Sequence, residues 1–313
     1  MKIYSHVFIP LAYALILALS GCSLSTQPLG TAAPGKASSS AEMEGLIDQP
    51  GPIELETIIS ADWSVPLAGL LNLKSEAAIR AGLNDREEPI QVYAHLLKHP
   101  KRGNFLVDTG VSKKLLDDPG SAGLNWLVRR EMGLEKLQLK KSTAEILQGI
   151  NGKLAGVFFT HLHIDHISGM PDIPNDVPLY LGASESTEKS FMNMFVQGVS
   201  NKLLENKQPL QEWHFQPDPQ YRFEGIVDIF EDGSVFAISV PGHTPGSTAY
   251  LVRTTRGPVL LTGDTSHTRW GWEHTVEPGD FTRDNERNLT SLKSLKSLVA
   301  SHPKIEVRLG HQP

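Results

Sequence analysis

The chain has 313 residues, 40% of them hydrophobic, enough to bury the core of one large domain or two ordinary ones. Its net charge of −6 comes from intermixed acids and bases without long single-sign runs, which argues against a duplex nucleic-acid partner and against a polybasic membrane patch. One cysteine in the whole chain excludes an intramolecular disulfide and a cysteine-rich metal site.

Residues 1–21 carry an early cation, Lys2, then an apolar run from Val7 to Leu19, then small residues. This is the layout of an export signal, and the run is shorter than the roughly 20 apolar residues that span a bilayer. Its end, Leu19-Ser20-Gly21-Cys22, resembles the lipobox of bacterial lipoproteins. The resemblance implies lipidation at Cys22, which would attach the protein to a membrane. Because Ser23 follows instead of Asp, it also implies an outer-membrane anchor facing the periplasm. Residues 22–51 are rich in Ser, Ala, Gly and Pro and nearly free of large apolar side chains. Such a stretch gains too little from burial to offset its ordering entropy, so it is expected to be a flexible tether, with the folded domain at 52–313.

Strand signals follow in IQVYAHLL (Ile90 to Leu97), NFLVD (Asn104 to Asp108), LAGVFFT (Leu154 to Thr160) and VPLYLG (Val177 to Gly182). Between them, Leu134 to Leu147 and Ser184 to Leu204 carry apolar residues at three- and four-residue spacing, which predicts helices. In IVDIFEDGSVFAISV, Asp232 and Gly233 separate two apolar runs and predict a hairpin; STAYLVRTTRGPVLLTGD predicts a second strand pair. Leu289, Leu292, Leu295 and Leu298 form one apolar stripe of a late helix, with the strand IEVRLG after it. Interleaved strands, helices and hairpins point to an α/β protein with mixed sheets covered by helices.

The chemistry concentrates in FFTHLHIDHISGM. His161 and His163 lie two apart beyond an apolar strand and point to the same side, while Asp165 and His166 fall at the turn into a helix. Imidazole nitrogens and carboxylate oxygens suit zinc, and three or four of them are what one ion requires. Without a cation, several crowded histidines would depress one another's protonation and leave buried polar groups unpaired. Three more polar residues stand at the ends of predicted strands: His243 in VPGHTPGS, Asp264 in LLTGDTS and His311 in VRLGHQP.

The order HxHxDH, GHTPGS, GD, GH resembles the metallo-β-lactamase superfamily over about Val92 to the C-terminus. The resemblance implies an αββα sandwich of two mixed β-sheets flanked by helices, with a metal site along one edge. It also implies that His161, His163 and His243 hold a first metal, that Asp165, His166 and His311 hold a second, and that Asp264 bridges both. Asp108, in FLVDTG, matches a position that supports the site from behind. Two divalent ions, zinc foremost with iron or manganese as alternatives, about 3.5 to 4 Å apart with a bridging hydroxide, would attack a carbonyl and make hydrolysis the natural reaction. Asp165 is placed to orient the nucleophile or carry a proton to the leaving group.

His302, in ASHP, competes with His311 for the last ligand position, but it ends a helix, where a cation is favoured by the dipole. His95, His99 and His214 lack ligand spacing. His267 and His274 share SHTRWGWEH with Arg269, Trp270 and Trp272, a loop that could wall a substrate site or simply pack; Arg269 and Trp270 are the candidates there for touching a small-molecule substrate.

Among the hydrolases of this type, zinc β-lactamases of the third subclass are similar in THLHIDH and GHTPGSTAY but typically lack an aspartate like Asp264. Glyoxalase II enzymes usually carry a histidine where Ser247 stands, and nuclease branches need nucleic acid. Quorum-quenching lactonases are similar throughout, though they often continue with Asp where Gln312 stands. A lactone or related ester is therefore the leading substrate class, β-lactam hydrolysis the alternative, and a non-catalytic zinc-binding lipoprotein the alternative of another kind.

Overall fold

A computed structural model describes residues 21–30 and 34–313. Of the export-signal reading of 1–21, residues 1–20 lie outside them. Among the described residues, no helix is long and apolar enough to cross a membrane.

The first five strands are β1 (Cys22–Ser23), β2 (Lys36–Ser38), β3 (Glu54–Pro66), β4 (Glu87–His99) and β5 (Gly103–Val107). Then come β6 (Gln138–Leu139), β7 (Leu154–Phe158), β8 (Leu179–Leu181), β9 (Lys189–Ser190) and β10 (Leu210–Glu212). The last five are β11 (Ile226–Asp228), β12 (Val235–Ser239), β13 (Thr248–Thr254), β14 (Gly257–Leu261) and β15 (Glu306–Arg308). One mixed sheet has the order β10-β8-β7-β5-β4-β3-β6, a second has β15-β14-β13-β12-β11-β2, and β1 pairs with β9 alone.

The two sheets pack face to face, and the strand period of two explains which residues do it. Phe105, Val107 and Phe158 of one sheet meet Val235, Ala237, Tyr250 and Val252 of the other. Their neighbours Leu106, Val157 and Phe159 point the opposite way, under the helices that carry Ile146, Ile167 and Val199. In the second sheet, Phe236, Ile238, Ala249 and Leu251 likewise face outward beneath Leu295 and Leu298 of the helix Asn285–Ser301. Both faces of each sheet are thus buried, which is why the strands read as nearly continuous apolar runs. The four layers are the αββα arrangement expected from the sequence.

Three expectations fail, each for a physical reason. Residues 34–51 are not a tether. β2 extends the second sheet beside β11, and Met43 and Ile47 of the helix Ser40–Ile47 are wholly buried against it. The average composition hid a capping box in which Ser39 and Glu42 satisfy each other's backbone groups, with apolar side chains one turn later. The segment after Cys22 is also attached: Ser25 Oγ donates to Asn201 and Gln27 Nε2 donates to the Lys207 carbonyl.

Second, the helix predicted over Leu134 to Leu147 is broken. A single turn at Leu134–Lys136 gives way to β6, and the backbone amides of Lys140 and Lys141 bond the Ser60 carbonyl at the edge of β3. Helix resumes only at Thr143–Gln148, restarted by a capping box between Ser142 and Glu145. Third, the helix expected from Ser184 begins at Asn193, because Ser184 has a positive φ of 67° and the chain turns there.

Candidate metal centre

The site lies along one edge of the sandwich, on the loops that leave β7, β12, β14 and β15. After β7 the chain stays extended through His161 to His163, then turns into the short helix Ile164–Ile167 that carries Asp165 and His166. His243 follows β12, Asp264 follows β14 and His311 follows β15. Gly310 is required beside them, since a Cβ there would lie 2.2 Å from Asp264 Oδ1.

These seven side chains form two nests that share Asp264: His161, His163, His243 and Asp264, and Asp165, His166, Asp264 and His311. In the first, His243 Nε2 lies 3.2 Å from His161 Nε2 and 3.0 Å from His163 Nδ1. Four ligands about 2.0–2.1 Å from a tetrahedral ion lie about 3.3 Å apart, so the spacing suits a cation of zinc's size. In the second, His311 Nε2 lies 3.3 Å from Asp165 Oδ2, and His166 Nε2 lies 3.6 Å from the same oxygen. Asp264 Oδ2 reaches both, 3.6 Å from His161, 3.4 Å from His243, 3.3 Å from His166 and 3.2 Å from His311. His166 Nε2 and Asp264 Oδ1 are buried without a hydrogen-bond partner. A ring nitrogen and a carboxylate oxygen left so inside a protein are costly, and both are donor types a cation takes once the imidazole gives up its proton, so the residues fit a pair of metal ions.

Protonation divides the imidazoles. Burial holds His161 and His243 well below the ordinary histidine range and His163 at about 4, so these three present lone pairs. Burial disfavours charge on His166 and His311 too, but the carboxylates of Asp264, Asp108 and Asp165 outweigh it: His166 sits well above the ordinary value and His311 at about 10. Burial likewise raises Asp165 and Asp264, but the surrounding imidazoles outweigh it and keep both carboxylates ionised.

Other groups fix the orientation of these side chains. Asp108, at a positive φ of 55°, accepts from Thr160 N and Thr160 Oγ1 and from His166 Nδ1, each at 2.8 Å. That bond aims His166 Nε2 into the nest. His311 Nδ1 donates to the Gln91 carbonyl at 2.9 Å, which aims its Nε2 in the same way. Two residues were missed or left open by the sequence. Glu185, almost fully buried, accepts from Leu162 N, Thr244 Oγ1 and Gly246 N, tying the HLH loop to the GHTPG loop; burial raises its carboxyl above the usual range. His267 is buried, donates through Nδ1 to the Leu70 carbonyl and places Nε2 3.0 Å from Asp264 Oδ2. Its spacing from Asp264, three residues on a turn, was the available signal.

His302 is elsewhere, closing the helix Asn285–Ser301 against Asp48 and Glu44. His95 is buried against Thr57 Oγ1, and His99 pairs with Asp232. The substrate role expected of Arg269 and Trp270 finds no support in their contacts. The Arg269 guanidinium bonds the Pro313 carbonyl and its amide bonds Gln312, while the Trp270 ring stacks on His274 at 4.2 Å. The C-terminal residues lie where the exposed guanidinium can reach them.

Known proteins agree with this architecture. The sequence profile of the metallo-beta-lactamase superfamily matches residues 88–311. An N-acyl homoserine lactonase AttM of Azorhizobium caulinodans is 28% identical over 236 residues, 73% of this chain and 84% of that one. An N-acyl homoserine lactonase of Bacillus cereus is 29% identical over 232 residues, 71% and 81% of the two chains. Among solved structures, a quorum-quenching N-acyl homoserine lactone lactonase superposes with a TM-score of 0.59 at 20% identity over 85% of this chain and 94% of that one. AidC, a dizinc quorum-quenching lactonase, does so with 0.54 at 13% identity over 90% and 91%. The profile match spans most of the folded residues and carries every residue of the two nests, and the chain belongs to the metallo-beta-lactamase superfamily as a hydrolase of that fold.

Proposed function

We propose that the protein opens a lactone ring, or a closely related ester, with two divalent cations, zinc by donor chemistry, held in the two nests. The observation that carries the proposal is the single Asp264 oxygen within 3.2 to 3.6 Å of imidazoles from both nests. When bound, such a pair lowers the pKa of water toward neutrality and polarises the carbonyl under attack. The chain's own groups supply the rest. His161, His163 and His243 offer neutral lone pairs, and Asp108 and the Gln91 carbonyl aim His166 and His311. Asp165, the most accessible carboxylate of the set, takes a proton and passes it to the leaving alkoxide. Lactonase relatives support the substrate class.

The test is hydrolysis of N-hexanoyl homoserine lactone, an aryl ester and a cephalosporin by purified protein, with chelator and after zinc is restored. Lactone opening that chelator abolishes and zinc restores is expected. Preference for the cephalosporin would install the β-lactamase reading, and inactivity of zinc-loaded protein on all three would overturn the proposal in favour of a non-catalytic metal-binding role.

Two further outcomes are expected. Asp108→Asn should weaken zinc binding by about 10- to 100-fold, because the amide cannot hold His166 with a charge; competition with a chromogenic chelator reads it, and unchanged affinity would contradict it. The second concerns pH. His166 and His311 carry protons at neutral pH in the cation-free protein, whereas the first nest is already neutral. Zinc binding to the second nest must displace those protons, about two per ion, so its affinity should rise with pH through neutrality while the first nest changes little. Calorimetry in buffers of different ionisation heat would show this, and equal proton release from both nests would contradict it.

The N-terminal reading belongs to the same proposal: export, lipidation at Cys22 and retention at the periplasmic face of the outer membrane. The mass of the N-terminal peptide decides it.

A further inference from the structure

We infer that the face around Phe191 to Phe195 lies on the surface of a phospholipid bilayer, with Cys22 at its edge. Four large apolar side chains stand side by side in solvent there: Phe191 is 57% exposed, Met192 65%, Met194 51% and Phe195 53%. The Phe191 and Phe195 rings meet edge to face at 5.7 Å, so they form one patch. A contiguous apolar patch of this kind marks something that covers it.

What covers it follows from the failure of the tether. A flexible tether of about 30 residues would let the domain float about 30 Å from an anchor. Instead β1 pairs Cys22 with Ser190, the residue before Phe191, and Ser23 with Lys189. Gln197, on the helix Asn193–Leu203, donates to the Ser23 carbonyl, and Asn201 holds Ser25 and Thr26. An anchor on Cys22 therefore has no slack, and the face beside it must meet the membrane. Phe and Met side chains on a helix end, with Lys189 exposed next to them, are suited to the boundary between acyl chains and headgroups. The same helix packs against the short helix carrying Asp165 and His166.

This inference rests on the anchor proposed above, and the experiment separates the two. With Cys22 the only cysteine in the chain, Phe195→Cys and, as a second position, Met194→Cys each give one labelling site for an environment-sensitive fluorophore once Cys22 is acylated. Tyr221→Cys, 91% exposed on the opposite outer layer, is the control. The full-length protein is reconstituted in vesicles of phosphatidylethanolamine and phosphatidylglycerol with and without a headgroup-region nitroxide lipid. Because an apolar face of this kind sits about 5–10 Å into the boundary, emission at 194 and 195 should shift to the blue and lose about half its intensity to the nitroxide, with no change at 221. Acylated Cys22 with solvent-like emission at 194 and 195 overturns the docking alone. A blue shift without nitroxide quenching also overturns it, in favour of contact with a second copy. An unmodified Cys22 in the N-terminal peptide overturns the anchor and the docking together.

Discussion

Asp264→Ala is expected to lower kcat/KM on the preferred carbonyl substrate by about 10³-fold or more and to leave less than one bound metal per chain, since it removes a ligand from both nests at once. Its Oδ2 also meets His267, at 3.0 Å, so the substitution removes the one carboxylate shared by five imidazoles and leaves Asp165 as the only carboxylate of the two nests. The donor set then carries one negative charge fewer to balance two cations. The core between the sheets, built on Phe158 and Tyr250, is untouched, so the variant should keep its circular dichroism spectrum. A variant that retained two metals by elemental analysis would show that Asp264 is not shared between them.

Removing residues 1–51 should prevent the rest of the chain from folding stably. The deletion takes away β2, leaves β11 as an unpaired edge and removes Met43 and Ile47 from the outer core of the second sheet. Emptying each of two buried positions of that size costs about 2–5 kcal/mol, a sum comparable with the whole stability of a domain, about 5–15 kcal/mol. Aggregation, or a melting temperature lowered by well over ten degrees, is expected; an unchanged melting curve would restore the tether reading.

The nests were legible because their donors are rare residue types at strand ends, where a few side chains decide the chemistry whatever surrounds them. The strands on either side of the inter-sheet core were legible as well, since burial on both faces makes them apolar runs. What was lost depends on long-range contacts. β3 has no clean alternation because its register with β4 shifts between Ile59 and Ala61, which flips the faces in mid-strand. Glu185 sits in ASES, where nothing local tells that its carboxylate will be buried between two loops more than fifty residues apart. The helix Ser40–Ile47 was hidden in a stretch whose average composition is polar, although its cap and its Met43 and Ile47 spacing were present. Arg269 and Trp270 were singled out because they follow Asp264 in sequence; in the fold the first bonds Pro313 and the second stacks on His274.

The most direct test of the account is anomalous diffraction at the zinc edge from crystals of zinc-loaded protein. Two peaks are predicted, both about 2.0–2.2 Å from the Asp264 carboxylate, one bounded by His161, His163 and His243 and the other by Asp165, His166 and His311. A single peak, or two that leave Asp264 unligated, would contradict it.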